Sequence, residues 1–283
     1  MIEFFDTHAH IQEPEFADDL DDVIAAAREA GVATIVMPAE DVESAEHAIA
    51  IAERYEGLYA TAGYHPHEAS SLTADALARI ESLLSHPKVV AVGEIGLDFY
   101  RLHSTREEQY AAFEQMLDLA ERHRKPVVIH CRDAWAELRP VLEPWAQRVR
   151  SSFDGPFGVL HYFSSSLDDA LFYIDLGFMV SIHTSITHPR AQTLRDLVAE
   201  LPMDALVIET DSPYGAPQVR RGKRNEPSLV VEAAKQIADA QGEGISLADV
   251  ALATTANARR LFRLDTGSSD QHTAGKLADG ARI

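Results

Sequence analysis

A single cysteine, Cys131, excludes any internal disulfide and agrees with a reducing compartment. No apolar run approaches the roughly 20 residues needed to cross a bilayer, and Glu3 and Asp6 stand where a signal peptide would carry lysine or arginine. The expectation is a cytoplasmic protein with no membrane partner. Positive charge is also in short supply: Lys plus Arg number 25 against 45 Asp plus Glu, a formal net charge of −20. That excludes a protein that coats nucleic acid regardless of sequence, which needs a basic surface to release counterions. It does not exclude an enzyme acting on nucleic acid, because bound divalent cations and one local basic segment make a site attractive to phosphate. The first βα turn lacks the glycine-rich phosphate loop that many open doubly wound sheets carry. What is present is ample apolar content, 46% of 283 residues, enough for a large core.

Short β-branched or apolar runs alternate with longer amphipathic ones throughout, the signature of repeated βα units around a parallel sheet. Strands are expected at 3–7, 33–37, 59–63, 89–93, 126–129, 158–160, 178–181 and 206–209. Helical stretches such as 20–30, 42–55, 74–84, 105–123, 191–201, 229–240 and 247–262 separate or follow them. About eight such units in under 270 residues match a closed (β/α)₈ TIM-type barrel. Residues 1–264 read as one domain, and 265–283, rich in Asp, Thr, Gly and Ser, as a flexible C-terminal tail.

The run Phe5-Asp6-Thr7-His8-Ala9-His10 puts two imidazoles at i and i+2, on one face of an extended segment. Such pairs are cheap, as His65-Pro66-His67 shows. The informative feature is the company: Glu94, His130, His161 and Asp211 each follow an apolar run, and chemistry in such barrels sits at the carboxyl ends of strands. Six N and O donors exceed what one tetrahedral zinc needs, so two divalent ions bridged by a carboxylate are expected. Zn²⁺, Mn²⁺ and Mg²⁺ all suit this donor set to some degree. Glu94 is the natural bridge between a His8/His10 side and a His130/His161 side. Asp211 is the candidate general base, and Glu209, two residues earlier, a support for the ligands. Cys131 alternates away from the face His130 uses and reads as a packed small hydrophobe.

These segments resemble the TatD-related metal-dependent deoxyribonucleases of the amidohydrolase superfamily. The resemblance is carried by Asp6-Thr7-His8-Ala9-His10, Gly63-Tyr64-His65-Pro66-His67 and Gly93-Glu94-Ile95-Gly96-Leu97-Asp98. Further along it continues through His130-Cys131-Arg132-Asp133-Ala134, Glu209-Thr210-Asp211-Ser212-Pro213-Tyr214 and Arg221-Gly222-Lys223-Arg224-Asn225-Glu226-Pro227. It implies a TIM-type barrel, a dinuclear site on His8, His10, Glu94, His130, His161 and Asp211, and hydrolysis of DNA phosphodiesters. Two segments depart from the family pattern: His161-Tyr162-Phe163-Ser164-Ser165, where His-Cys-Phe-Ser/Thr-Gly is usual, and Val180-Ser181-Ile182-His183-Thr184, leading to Thr187-His188. The ligands survive both changes, whereas the loops that would touch substrate are altered. His183 and His188 read either as phosphate contacts or as exposed loop residues.

The one dense cationic run, Arg220-Arg221-Gly222-Lys223-Arg224, follows Asp211 by about ten residues, so the loop is expected to overhang the barrel mouth. There Arg221, Lys223 and Arg224 are expected to hold phosphates flanking the scissile bond. His65 and Tyr64 are expected to line the pocket, and His67 to be a turn residue. The leading reading is a nuclease removing nucleotides from single-stranded DNA ends, with nucleic acid as partner and no obligate protein partner. The alternative is a deacylase of aminoacyl-tRNA esters, or a hydrolase of another small ester or amide, on the same ions. Cyclic amide hydrolases often bridge their metals with a carboxylated lysine, and the fourth strand offers Glu94 instead. A non-catalytic scaffold is disfavoured by the retained Asp211.

Overall fold

A computed structural model describes residues 2–264; the expected tail at 265–283 lies outside them. Eight strands follow one another around a single parallel sheet: β1 (Phe4–Asp6), β2 (Val32–Met37), β3 (Leu58–Ala62), β4 (Val89–Asp98), β5 (Val127–Arg132), β6 (Gly158–Leu160), β7 (Phe178–His183) and β8 (Leu206–Glu209). Backbone bonds close the ring beyond the regular ladders. Thr7 donates to Ile208 at 3.1 Å, Asp211 to His8 at 2.8 Å and His10 to Ser212 at 2.7 Å. The barrel expected from the βα rhythm is therefore the fold.

Helices α1 (Leu20–Glu29), α2 (Val42–Arg54), α3 (Ala74–Leu83), α4 (Arg106–His123), α5 (Trp135–Val149), α6 (Leu167–Leu176), α7 (Gln192–Glu200), α8 (Val230–Gln241) and α9 (Leu247–Phe262) complete it. Several begin at side chains that satisfy free N–H groups of the first turn: Asp41 with Ser44 at α2, Thr105 with Glu108 at α4 and Ser246 with Asp249 at α9. Helix α5 forms despite Pro140 and Pro144. Its buried residues Leu138, Leu142, Trp145, Ala146 and Val149 keep one continuous apolar stripe, and Trp145 Nε1 donates to Leu117 O at 3.1 Å. Packing thus overrides the poor intrinsic helix tendency of proline.

Inside the barrel, Phe5, Val36, Val90, Val128, Val159, Met179 and Val207 form an apolar plug, closed from below by Leu261 and Phe262 of α9. The ring of Phe5 stacks on that of Phe262 at 5.8 Å. This plug positions the chemistry. With a two-residue period, the next inward side chains above Val128, Val159, Met179 and Val207 are His130, His161, Ser181 and Glu209. Cys131, of opposite parity to His130, joins the outer core beneath the helices as expected.

Strand β4 differs from the expectation. It does not stop at Gly93 but runs to Asp98, so Glu94 lies within it rather than past its end. Pairing with β5 slips between Val92, opposite Val127, and Ile95, opposite Ile129. Two β4 residues there, Gly93 and Glu94, face one on β5, Val128, a bulge that re-aims the side chain it carries. Glu94 is on that bulge, and its N–H donates to Ala39 O at 2.8 Å. Gly96, at φ +140, is required next to it, because any Cβ would overlap the His130 carbonyl.

Candidate metal centre

His8 and His10 project from the extended segment after β1, which Asp6 ties to the end of β8. The buried Asp6 carboxylate accepts from Thr210 N at 3.0 Å, Thr210 Oγ1 at 2.6 Å and His8 N at 3.3 Å. The two Nε2 atoms stand 3.2 Å apart. Asp211 Oδ1 is 3.6 Å from His8 Nε2 and 3.5 Å from His10 Nε2, and Glu94 Oε2 is 3.2 and 3.8 Å from them. Ligands bound at 2.0–2.2 Å to one tetrahedral ion stand about 3.3–3.6 Å apart, so these four atoms have the spacing of a coordination shell. The Nδ1 atoms of His8 and His10 are buried without hydrogen-bond partners, so each ring meets its polar neighbours through Nε2, the atom that faces the cluster.

Glu94 faces two ways. While Oε2 meets His8 and His10, Oε1 lies 2.8 Å from His130 Nδ1, 3.7 Å from His161 Nε2 and 3.7 Å from His65 Nε2. Three donor groups that could hold a metal result: His8, His10 and Asp211; His8, Glu94 and His161; His65, Glu94 and His130. All six expected ligands converge. His65, expected only to line the pocket, comes within ligand range as well.

Charge balance favours a cation. Glu94, Asp98, Glu209 and Asp211 crowd one site, and each of their ion-pair partners among the described residues is a histidine. Burial alone would raise the Glu94 carboxyl, yet the adjacent His8 and His161 hold it well below its ordinary value. Asp211 is likewise held low against its burial, by the His10 hydrogen bond and by His161 and His8. Burial keeps His8 and His65 below the usual imidazole range, neutral with lone pairs available. Burial would also lower His10 and His161, but Asp211 lifts the first to about 9, and Glu209 with Glu94 lifts the second to about 10. The carboxylates around these two rings thus stabilise positive charge at the centre of the site.

Supporting residues fix these rings. Glu209 Oε1 lies 2.9 Å from His161 Nδ1, off the ring's N–H direction, and accepts from Tyr162 N at 2.6 Å, while Oε2 accepts from Ser181 Oγ at 2.6 Å. Asp98 Oδ2 contacts His130 Nε2 at 3.1 Å and His67 Nε2 at 2.9 Å, and Oδ1 accepts from Tyr100 N and Arg101 N at 2.9 and 2.7 Å. Sequence reasoning does not single out Asp98. The available signal is parity, since Glu94, Gly96 and Asp98 alternate on one face once β4 is allowed to continue. Non-glycine residues just past three strands adopt left-handed φ, Asp133 at +53, Tyr162 at +46 and Asp211 at +53. Each costs on the order of 1 kcal/mol, and such turns gather where geometry is held for function.

A cavity of about 510 Å³ opens over the cluster, lined among others by His10, Glu94, His130, His161, Asp211 and Tyr214. Its cations differ from those expected. Arg101 and Arg132 line it, both exposed and neither paired with a carboxylate among the described residues. The 220–224 run does not. Arg224 is consumed by Asp19, at 2.9 and 2.6 Å, by Glu226 at 3.2 Å and by the Phe16 ring at 4.4 Å, so it fastens the loop to the start of α1 instead of facing a phosphate. Arg221 and Lys223 stay exposed outside the cavity lining. Tyr64 turns into the core and pairs with Ser71 at 3.1 Å. His183 is buried, its Nδ1 accepting from Ser185 N at 2.9 Å and its Nε2 donating to Thr210 O at 2.6 Å. His188 Nε2 donates to Ala216 O at 2.8 Å. Both therefore brace the loop after β8. Ser165, in the altered sixth segment, bonds Asp169 at the start of α6.

The salt dependence of oligonucleotide binding should follow this geometry. Arg101→Ala and Arg132→Ala are each expected to flatten the slope of log K against log salt by about 0.7, the value for one contact to a single strand. Arg224→Ala should leave that slope unchanged and lower the melting temperature.

A parallel (β/α)₈ barrel with clustered histidines and carboxylates at its carboxyl rim defines a class, the metal-dependent hydrolases built on this fold. Residues 5–263 match the family model described as TatD related DNase, and the chain belongs to that family. It is 38% identical over 263 residues to the 3′-5′ ssDNA/RNA exonuclease TatD of Cronobacter sakazakii, covering 91% of this chain and 97% of that one. It is 37% identical over 262 residues to the uncharacterized metal-dependent hydrolase YabD of Bacillus subtilis, covering 92% and 99%. The crystal structure of YJJV, a TatD homologue from Escherichia coli K12, superposes with a TM-score of 0.85 at 32% identity, covering 93% and 98%. No helix among the described residues is long and apolar enough to cross a membrane.

Proposed function

We propose that this protein hydrolyses DNA phosphodiester bonds at the ends of single strands, using two divalent ions held by His8, His10, Glu94, His130, His161 and Asp211. The observation that carries this reading is the division of Glu94, one oxygen toward His8 and His10 and the other toward His130, His161 and His65. Bound there, Zn²⁺, Mn²⁺ or Mg²⁺ would stabilise charge on phosphoryl oxygens and acidify water. The remaining work belongs to side chains. Asp211, ionised at neutral pH and on the cavity wall, accepts the proton of the attacking water. Glu209 and Asp98 orient His161 and His130. Arg101 and Arg132 receive the phosphates on either side of the scissile bond. His65 supplements the ligand set on the His130 side. Arg221 and Lys223, further out, meet the strand beyond the cavity.

Removal and return of metal tests this. Protein stripped with a chelator, then loaded with each ion in turn, is assayed on end-labelled single strands, duplexes and aminoacylated tRNA. The expected result is a loss of at least about a hundredfold on stripping, recovery with two ions per chain, and release of mononucleotides from single strands. Full activity in stripped protein would overturn the dinuclear reading. Turnover confined to aminoacyl-tRNA would favour the ester hydrolase instead.

A further inference from the structure

Eight large apolar side chains are exposed among the described residues. Four of them sit on two rim loops: Tyr100 and Leu102 between β4 and α4, Tyr214 and Val219 between β8 and α8. In an eight-stranded ring in sequential order, β4 and β8 stand opposite each other, so these loops flank the mouth from its two sides. Tyr214 is 52% exposed and lines the cavity, its ring 6.1 Å from that of His10 and edge-on. Across the mouth, Tyr100 is 59% exposed and its ring lies 3.9 Å under the guanidinium of Arg132, itself a cavity-lining residue. Exposed aromatic rings beside unpaired guanidinium groups are what a single strand recognises, because every base offers a π-face and every link a phosphate.

We infer that Tyr214 and the Tyr100–Arg132 pair form a clamp that stacks unpaired nucleobases on both sides of the scissile phosphate. These residues then set the preference for single strands over duplex. Bases inside a duplex have their faces already covered, so a duplex cannot engage the clamp without fraying. The inference rests on the nuclease reading above and adds to it the residues that choose the substrate.

The backbone of Tyr214 holds its loop without the ring, its N–H donating to Asp211 O at 2.9 Å and its carbonyl accepting from Asn225 Nδ2 at 2.8 Å. Ring replacements are therefore compatible with the fold. The test compares kcat/KM of metal-loaded protein on a single-stranded oligonucleotide and on the same oligonucleotide with abasic tetrahydrofuran residues at its last two positions. The phosphates are identical, so only contacts to the bases differ, and the Tyr214 variants isolate the part made by its ring. Wild type should prefer the base-bearing strand by about tenfold or more. Tyr214→Ala should erase most of that preference, chiefly through KM, and Tyr214→Phe should restore it. If Tyr214→Ala lowers both substrates equally, the ring merely holds His10 and the clamp is overturned. A wild type that cleaves both strands equally well also removes the clamp and leaves the nuclease reading standing. Failure to cleave either strand with any ion would sink the nuclease reading and the clamp with it.

Discussion

Glu94→Ala should abolish phosphodiester hydrolysis, by at least about a hundredfold, and leave fewer than two ions per chain, measured by elemental analysis of dialysed protein. The effect is large because this one carboxylate serves both halves of the cluster. Its Oε2 approaches His8 and His10, and its Oε1 approaches His130, His161 and His65, whereas Asp211 reaches His8, His10 and His161 but has no such contact with His130 or His65. Glu94→Gln keeps the size but replaces an anionic oxygen with an amide nitrogen, so one half should lose its ligand. Glu94→Asp keeps the charge but is one methylene shorter, and it should retain one ion. The fold should survive, as judged by far-UV circular dichroism, since the barrel stands on the apolar plug below. An alanine variant that keeps two ions and full activity would remove Glu94 from the centre.

Asp211→Asn should lower kcat by about 10²- to 10⁴-fold with little change in KM. The Asp211 side chain is held ionised by His10, His161 and His8 in spite of its burial, so at neutral pH it is ready to take a proton, and an amide cannot. The amide would still offer an oxygen where Asp211 Oδ1 stands, 3.6 Å from His8 Nε2 and 3.5 Å from His10 Nε2, so metal content should stay near two ions. Loss of one ion together with activity would reassign Asp211 from base to ligand alone.

The geometry also separates the roles of cations that look alike in sequence. Arg224 belongs to a dense basic run, yet Asp19, more than 200 positions earlier, captures it. Arg101 and Arg132 belong to no such run, yet the ends of β4 and β5 bring both to the cavity. A run of like charge reports composition. Which charges remain free depends on the carboxylates that the fold delivers to them.

Much was legible from the chain alone, because it is written in local periodicities. Alternating β-branched and amphipathic runs define the barrel, and polar residues ending apolar runs, His8, His10, His130, His161 and Asp211, mark its carboxyl rim. The two-residue spacing of Glu209 and Asp211 at the end of β8 marks Glu209 as a support for the ligands. The tertiary structure alone decided four matters: the bulge within β4 on which the expected bridge Glu94 sits, the continuation of β4 that makes Asp98 a hub for His130 and His67, the bracing of the β8 loop by His183 and His188, and the identity of the free arginines. Each depends on distances between residues tens to hundreds of positions apart. Spacing along a strand dictates which face a side chain takes, whereas ring closure and loop packing dictate what that side chain meets there.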